Sequence, residues 1–435
     1  LLPIIAANEQ QREEWVKLFA IDDVKGYAAP LTVDFLKAND KLLVDTKFFD
    51  ASFKYALLSI FDDLDEQTNG LMINSENFQA LNLLQERYKE KVKCIYIDPP
   101  YNTNASAIAY KNGYMHSSWC SLMDDRLSMS RQFLNDKGII QVAIDDAEFS
   151  KLEYIIKQTM GEENFIANIV IMHNPKGRDQ VYIADCHEYT IIAAKDIKYA
   201  EMGRLELNET ELALKYSKGA SDEKYRELPL RRSGSSAQRE DRPYMYYPFL
   251  FNTDTGELTV VPEKEYVKIY DGSVFNDHFV EQIKSQYEKD GYEFILPIRE
   301  DGSRGRWRWG YKSSVDGAKN GILFAKGAKS KTIYQIDHAD SSYLPKSLWY
   351  GEKYDASTKG TNFLKNMIGK NEFDYPKSIF AVEDMLKIAS TGSNDIILDF
   401  FAGSGTTGHA VININRNENK AKSYILVEMG QYFER

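Results

Sequence analysis

The decapeptide CIYIDPPYNT, residues 94–103, runs a strand fit for a protein core straight into an acid, two prolines and a tyrosine. Neither Pro99 nor Pro100 can donate a backbone N–H, and both fix φ, so the chain must leave the sheet here in one shape. That shape aims the Asp98 carboxylate and the Pro99 carbonyl oxygen at one point. Two convergent acceptors suit a planar amino group with two N–H donors, and Tyr101 offers a flat face to a flat ring. The stretch therefore predicts a site for the exocyclic amine of an aromatic base. A proline turn carrying an exposed acid is the plainer alternative.

A second stretch, DFFAGSGTTGHA from Asp399 to Ala410, ends a buried strand in a glycine turn that opens a helix. Gly403, Gly405 and Gly408 let backbone approach a ligand closely, and the helix N-terminus offers unpaired N–H groups. Glu428 closes the next strand, where an acid can hold the two hydroxyls of a ribose. A nucleoside cofactor follows. A nucleotide-hydrolysing P-loop does not, because the GK[ST] ending is missing.

Both stretches need a sheet to hold them. SENFQALNLLQERYKEK spaces Phe78, Leu81, Leu84 and Tyr88 as a helix does, with Ser75 as its expected cap. The strand KCIYID follows, then a helix over 117–136 with Gly138 at its stop, the strand GIIQVAID and the helix AEFSKLEYIIKQTM. Strands alternating with helices predict βαβ units and a largely parallel sheet. The rhythm breaks from about 165 to 358, where FIANIVIM, EYTIIAA and YEFILPI mix with polar helices and turns such as RRSGSSAQRE. It resumes with KSIFAVEDMLKIAS, DIILDFF, the glycine turn and SYILVE. Residues 1–65, with helical spacing around Trp15, Leu18 and Phe19, form an N-terminal extension. The expected division is 1–65 extension, 66–164 core half with the proline corner, 165–358 inserted domain, and 359–435 core half with the glycine turn.

At 435 residues, 43% hydrophobic and 27% charged, the chain has a globular composition, with no signal-peptide pattern in its first residues and no spanning apolar run. Cys94, Cys120 and Cys186 are scattered and odd in number, which points to a reducing cytoplasm. No histidine or cysteine spacing suggests a metal. The net charge of −11 opposes nucleic acid, yet Gly302–Ile336 holds eight Lys or Arg against one acid. Within it SRGRWRWGYK alternates bases with aromatics, making Arg304, Arg306, Arg308 and Lys312 candidates for phosphate and base-edge contact. Lys176 and Arg178 form a smaller candidate cluster. A strand with wet arginines and buried tryptophans is the alternative.

DPPYNT, HSSWCSLMDDRL (116–127), VAIDDAEF (142–149), FDYPKS (373–378) and FAGSGTT (401–407) together resemble the β-order amino-DNA methyltransferases. The nearest likeness is to the Mod (modification) subunits of type III restriction–modification systems, over roughly residues 45–435. The resemblance implies an α/β, Rossmann-like fold with a mostly parallel, doubly wound sheet, an inserted mixed α+β target-recognition domain and an N-terminal extension. It implies methyl transfer from S-adenosyl-L-methionine to the N6 amine of a flipped-out adenine in double-stranded DNA, leaving S-adenosyl-L-homocysteine, with no metal. Asp98, Pro99, Pro100 and Tyr101 match the catalytic motif. Asp399, Phe401, Ala402, Gly403, Gly405, Thr406 and Thr407 match the cofactor turn, and Glu428 the ribose acid. Tyr375, Pro376 and Lys377 fall in the segment that closes over the cofactor. A bacterial or archaeal cytoplasm, a restriction (nuclease) subunit and a homodimer are implied as setting and partners, and no membrane. The family continues beyond the ribose acid, so a chain that lacks an initial Met and ends at Arg435 is expected to be part of a longer protein. Cytosine N4 as target, a non-catalytic DNA-binding specificity subunit and an NAD-type oxidoreductase are the competing readings.

Overall fold

The computed structural model describes residues 1–103, 115–177, 182–207, 209–219, 223–328, 330–368, 373 and 375–429. It divides into one unit of residues 1–205 and 344–435 and another of residues 206–343.

The first unit is built on an eight-stranded sheet. Its strands are β1 (Gly70–Asn74), β2 (Val92–Ile97), β3 (Leu134–Ile144), β4 (Phe165–Ile171), β5 (Glu188–Ala194), β6 (Leu348–Trp349), β7 (Ile396–Asp399) and β8 (Ser423–Glu428). Their spatial order is β1-β8-β7-β2-β3-β5-β4-β6. The run from β1 to β3 is parallel throughout, whereas β5 lies antiparallel to both β3 and β4. Helices α1 (Asn77–Tyr88), α2 (His116–Arg131) and α3 (Phe149–Met160) pack beside one another, as do α4 (Ile379–Ala389) and α5 (Thr406–Glu418). Every residue of β2 is buried, as covering both faces of a parallel strand requires. Ile95 and Ile97 join Leu81, Trp119, Met123 and Leu152 in one core, while Gln141 on β3 reaches α4 by donating to the Met385 carbonyl at 3.0 Å.

Local details depart from expectation at several points. Ser75 does not cap α1; the neighbouring Glu76 carboxylate accepts the Phe78 and Gln79 N–H groups instead, being one carbon longer than the short caps sequence rules favour. Phe78 stays exposed, with the Arg126 guanidinium over its ring at 5.0 Å. Helix α2 stops at Arg131, and Gly138 lies inside β3, just before pairing with β2 resumes at Ile139 after an irregularity in register.

The inserted domain is shorter than its sequence suggests. FIANIVI and EYTIIAA, assigned to it from the loss of βα alternation, are β4 and β5 of the main sheet. An antiparallel pair needs no crossover helix, so the alternation ended before the sheet did. The separate unit begins at Glu206 rather than 165 and ends at Tyr343 rather than 358. It holds two three-stranded antiparallel sheets, with Tyr246, Tyr247, Phe249, Trp307 and Ile333 in its core.

Near the N-terminus, Trp15, Ile21, Phe35 and Phe53 make a small core of their own, and Trp15 Nε1 donates to the Leu43 carbonyl at 2.7 Å. Leu18 and Phe19 remain exposed. Among the described residues no helix is long and apolar enough to cross a membrane.

Candidate active site

Strands β2 and β7 are parallel neighbours, with Leu398 opposite Ile95. From β7 the chain passes through α5 to β8 on one side; from β2 it passes through α2 to β3 on the other. Strand order reverses between them, which is where open α/β sheets leave a crevice at their C-terminal rim. Asp98 and Gly403, 305 positions apart in sequence, both line a cleft of about 330 Å³ at that rim.

The proline corner is pinned from behind: the buried Trp119 on α2 donates from Nε1 to the Pro100 carbonyl at 2.8 Å. Beyond it Asn102 takes a left-handed φ of 59°, and its side-chain amide donates to Glu148 at 2.7 Å. The glycine turn is pinned in turn. Gly403 has φ of 53°, and a Cβ there would come within 2.9 Å of the Phe373 ring, so a side chain would be both strained and crowded. Glu428, expected to face a ribose, is only 3% exposed and is absent from the cleft wall; its Oε2 accepts the Gly403 N–H at 2.6 Å. Its role in this structure is to brace the turn.

Phe401, Ala402, Gly403, Thr406 and Thr407 line the cleft beside Asp399. Gly405 is the left-handed residue that precedes α5. Asp399 accepts from the Phe401 N–H at 3.0 Å and the Thr407 hydroxyl at 2.5 Å, yet burial pushes its carboxyl up to about 7.

Opposite stands a group that sequence motifs only half revealed. Lys377 was expected over the cofactor; its ammonium lies 3.0 Å from Asp98 Oδ1 and 3.0 Å from Glu188 Oε2. It also contacts the Tyr101 hydroxyl and sits 4.5 Å from that ring's centroid. The Tyr101 hydroxyl donates to Glu188 at 3.0 Å. Asp98 keeps 28% of its side-chain surface open to the cleft but lies deep in the protein. Burial therefore raises its carboxyl above the usual range, with Lys377 pulling the other way. Burial also acts to raise Glu188, but Lys377 and His173 outweigh it and hold this acid low. Lys377 is raised, since burial disfavours its charge less than the two carboxylates favour it. Tyr101 is pushed well above a normal phenol by burial and by both acids. Glu188 was missed because no motif surrounds it: it is merely the first residue of a strand.

Tyr375 and Pro376 complete this wall, Tyr375 with a left-handed φ of 56°. They rest on a π-helical turn, Ser357–Thr361, where a Cβ on Gly360 would fall 2.3 Å from the Pro376 carbonyl oxygen. The charged groups lining the cleft are four carboxyls, Asp98, Asp145, Glu188 and Asp399, against Lys377 and the titratable His173. That balance favours a cationic ligand. Among the described residues no cluster of His, Cys, Asp or Glu suits a metal.

The candidate DNA-contact residues fare differently. In the second unit Arg306 is only 8% exposed, its guanidinium donating to the Ser236 and Trp307 carbonyls at 2.7 and 3.1 Å. It is a structural brace rather than a surface cation. Arg304 pairs with Asp277, and Trp307 is core. Arg308 and Lys312 are exposed. Lys176 belongs to the first unit, and Arg178 lies outside the described residues.

Residues 92–435 match the family described as DNA methylase. The chain belongs to the DNA methylase family. Among the relatives of this chain is the EcoPI Mod subunit of a type III restriction-modification enzyme from Escherichia phage P1. It is 28% identical, with 84% of this chain and 58% of the relative covered. The type II methyltransferase M.KpnI of Klebsiella pneumoniae is 29% identical, covering 84% of this chain and 81% of the relative. The EcoP15I Mod subunit of Escherichia coli is 25% identical over 84% of this chain and 59% of its own length. The chain thus spans under two-thirds of the length of both these Mod subunits.

Two consequences are measurable. Folding raises the Asp399 pKa from 3.8 to about 7, so the fold favours the protonated acid. Its stabilising contribution is whole below about pH 4 and is lost as pH rises through about 7. Asp399→Asn, which cannot ionise, should lack that loss, a difference of roughly 4 kcal/mol between pH 4 and 8 in denaturant titrations. Gly360→Ala should cost about 1–3 kcal/mol by overpacking against Pro376, read as a lowered denaturation midpoint.

Proposed function

We propose that this chain is a site-specific DNA methyltransferase that carries a methyl group from S-adenosylmethionine to the N6 amine of an adenine swung out of duplex DNA. We assign it as the modification component of a restriction–modification system, acting with a nuclease subunit. The observation that carries the reading is the shared cleft, which brings the proline corner and the glycine turn to one rim. Family membership and the Mod subunits among the relatives support it. Asp at the head of the proline corner favours adenine over cytosine.

The cleft fits the cofactor. Its acid-rich wall suits a sulfonium, and the crowded, left-handed Gly403 keeps backbone, not a side chain, beside Phe401 and Thr406. When bound, S-adenosylmethionine supplies a methyl group already activated on sulfur. The protein's task is alignment and stabilisation of charge. Asp98 and the Pro99 carbonyl accept the two amine hydrogens, leave the nitrogen lone pair aimed away from them, and stabilise the positive charge that grows on nitrogen. No covalent enzyme intermediate is required. Tyr101 offers its ring to the extruded base, returning about 1–3 kcal/mol of the few kcal/mol spent on unstacking.

For DNA the second unit offers a cluster that sequence alternation did not reveal. Arg232 pairs through its N–H with the Arg306 carbonyl at 2.9 Å, and Arg306 feels the charges of Arg232, Arg242 and Arg308. Arg232 Nε is buried without a partner among the described residues. Arg242 and Arg308 in this crowd are exposed, and gathered guanidinium groups suit phosphates.

Incubation with tritiated S-adenosylmethionine and mixed-sequence duplex should label DNA as N6-methyladenine; label on cytosine N4, or none, refutes the assignment. Asp98→Ala should reduce transfer at least about 10²–10³-fold while calorimetry still finds the cofactor bound. An Arg232/Arg242/Arg308 triple glutamine variant should flatten the slope of log affinity against log salt by roughly 2–3.

A further inference from the structure

The position of Lys377 conflicts with the reaction it borders. Its ammonium lies 3.0 Å from Asp98 Oδ1, so the carboxylate that must accept one of the amine hydrogens already holds a donor on that oxygen. An amine directed to Oδ1 must displace that contact, and one directed to Oδ2 would share the carboxylate with a full positive charge. An ammonium whose side chain is 12% exposed cannot simply let go of its counter-charge, because an unpaired buried ion is strongly disfavoured. Glu188 removes the difficulty. It is more deeply buried than Asp98, lies 3.0 Å from the same ammonium, and accepts the Tyr101 hydroxyl at 3.0 Å. The ammonium has three donors, and Glu188 with the Tyr101 oxygen can hold two of them.

We propose that Lys377 is a placeholder for the target amine on Asp98, and that Glu188 is the positioning residue that receives it when the base enters. The proposal rests on the methyltransferase reading. It deepens that reading by giving the site two states: Lys377 shared between both acids before the base arrives, and Lys377 on Glu188 and Tyr101 afterwards. The exchange is local, since all four groups are already in contact. It also ties the stacking ring to the switch, because the Tyr101 hydroxyl belongs to the same network.

Charge provides the test. With all three groups ionised, Asp98, Glu188 and Lys377 together carry one net negative charge. Glu188→Gln removes it, Lys377→Met doubles it, and the double variant restores it. Glu188→Gln should leave Lys377 clamped on Asp98 and lower kcat about 100-fold, measured with duplex and cofactor both raised to saturation for each variant. The groups acting on Asp98 are Lys377, Glu188, Tyr101, Tyr96 and Asp399. Burial and Glu188 raise its carboxyl and Lys377 lowers it. The acid limb of the pH–kcat profile should therefore move to lower pH in Glu188→Gln and to higher pH in Lys377→Met. Adding Lys377→Met to Glu188→Gln should recover at least about tenfold in kcat, which a merely structural role for Glu188 would not produce.

A double variant no faster than Glu188→Gln, or a Glu188→Gln enzyme with wild-type kcat, overturns the proposal. Should Glu188→Gln not fold, Lys377→Met alone decides: an acid limb that does not move overturns it. Wild-type protein that labels no DNA overturns the methyltransferase reading itself, a failure distinct from any ordering among variants.

Discussion

The parallel pairing of β2 with β7 is the constraint on which the site depends. With Leu398 fixed opposite Ile95, the two strands end at one level, and whatever follows each must emerge at the same rim. Their outgoing helices, α2 and α5, belong to different helical groups, so the gap between the strand ends stays open. Trp119 then fixes one lip through the Pro100 carbonyl and Glu428 fixes the other through the Gly403 N–H. Both are hydrogen bonds from outside the cleft wall. Within the wall, Asp399 adds its own bonds to Phe401 and Thr407.

Concentrating four carboxyls in one cleft is costly unless each has a means of bearing its charge. The means differ. Asp399 is driven towards neutrality by burial even though two donors oppose the shift. Glu188 stays ionised because Lys377 and the Tyr101 hydroxyl serve it directly. Asp98 lies between these extremes, raised by burial and restrained by the same ammonium. One cation therefore pulls the carboxyls of two acids downward, against the burial that raises both.

The sequence was legible where chemistry is local and contiguous. Asp98 to Tyr101 sit in one proline corner, and Phe401 to Thr407 in one strand–turn–helix, so their geometry is dictated by neighbours along the chain. Helix and strand periodicity placed the core elements, though α2 ended early because the irregular start of β3 claimed the residues after Arg131. Glu188 was invisible because its place in the cleft wall depends on antiparallel pairing of β5 with β3, a long-range fact with no local signature. The same pairing concealed β4 and β5 inside what read as an inserted domain. The RWRW alternation misled for another reason. Period-2 reasoning assumes a regular strand, whereas here Arg306 turns inward to satisfy carbonyls of an irregular segment. The arginines that cluster with it, Arg232 and Arg242, come from a distant turn.

Because β5 runs against its neighbour, it brings its first residue, rather than its last, to the rim. Glu188 is placed by strand register and not by the length of any strand-to-helix connection. Selection can therefore lengthen or shorten the segment before it without moving the proline corner or the glycine bend. A two-residue slip of β5 would put Cys186 or Thr190 on the same face in its place. Such a slip would break every pair that β5 makes with β3 and β4 and move its buried side chains, so the rim residue is held by the register of the whole strand.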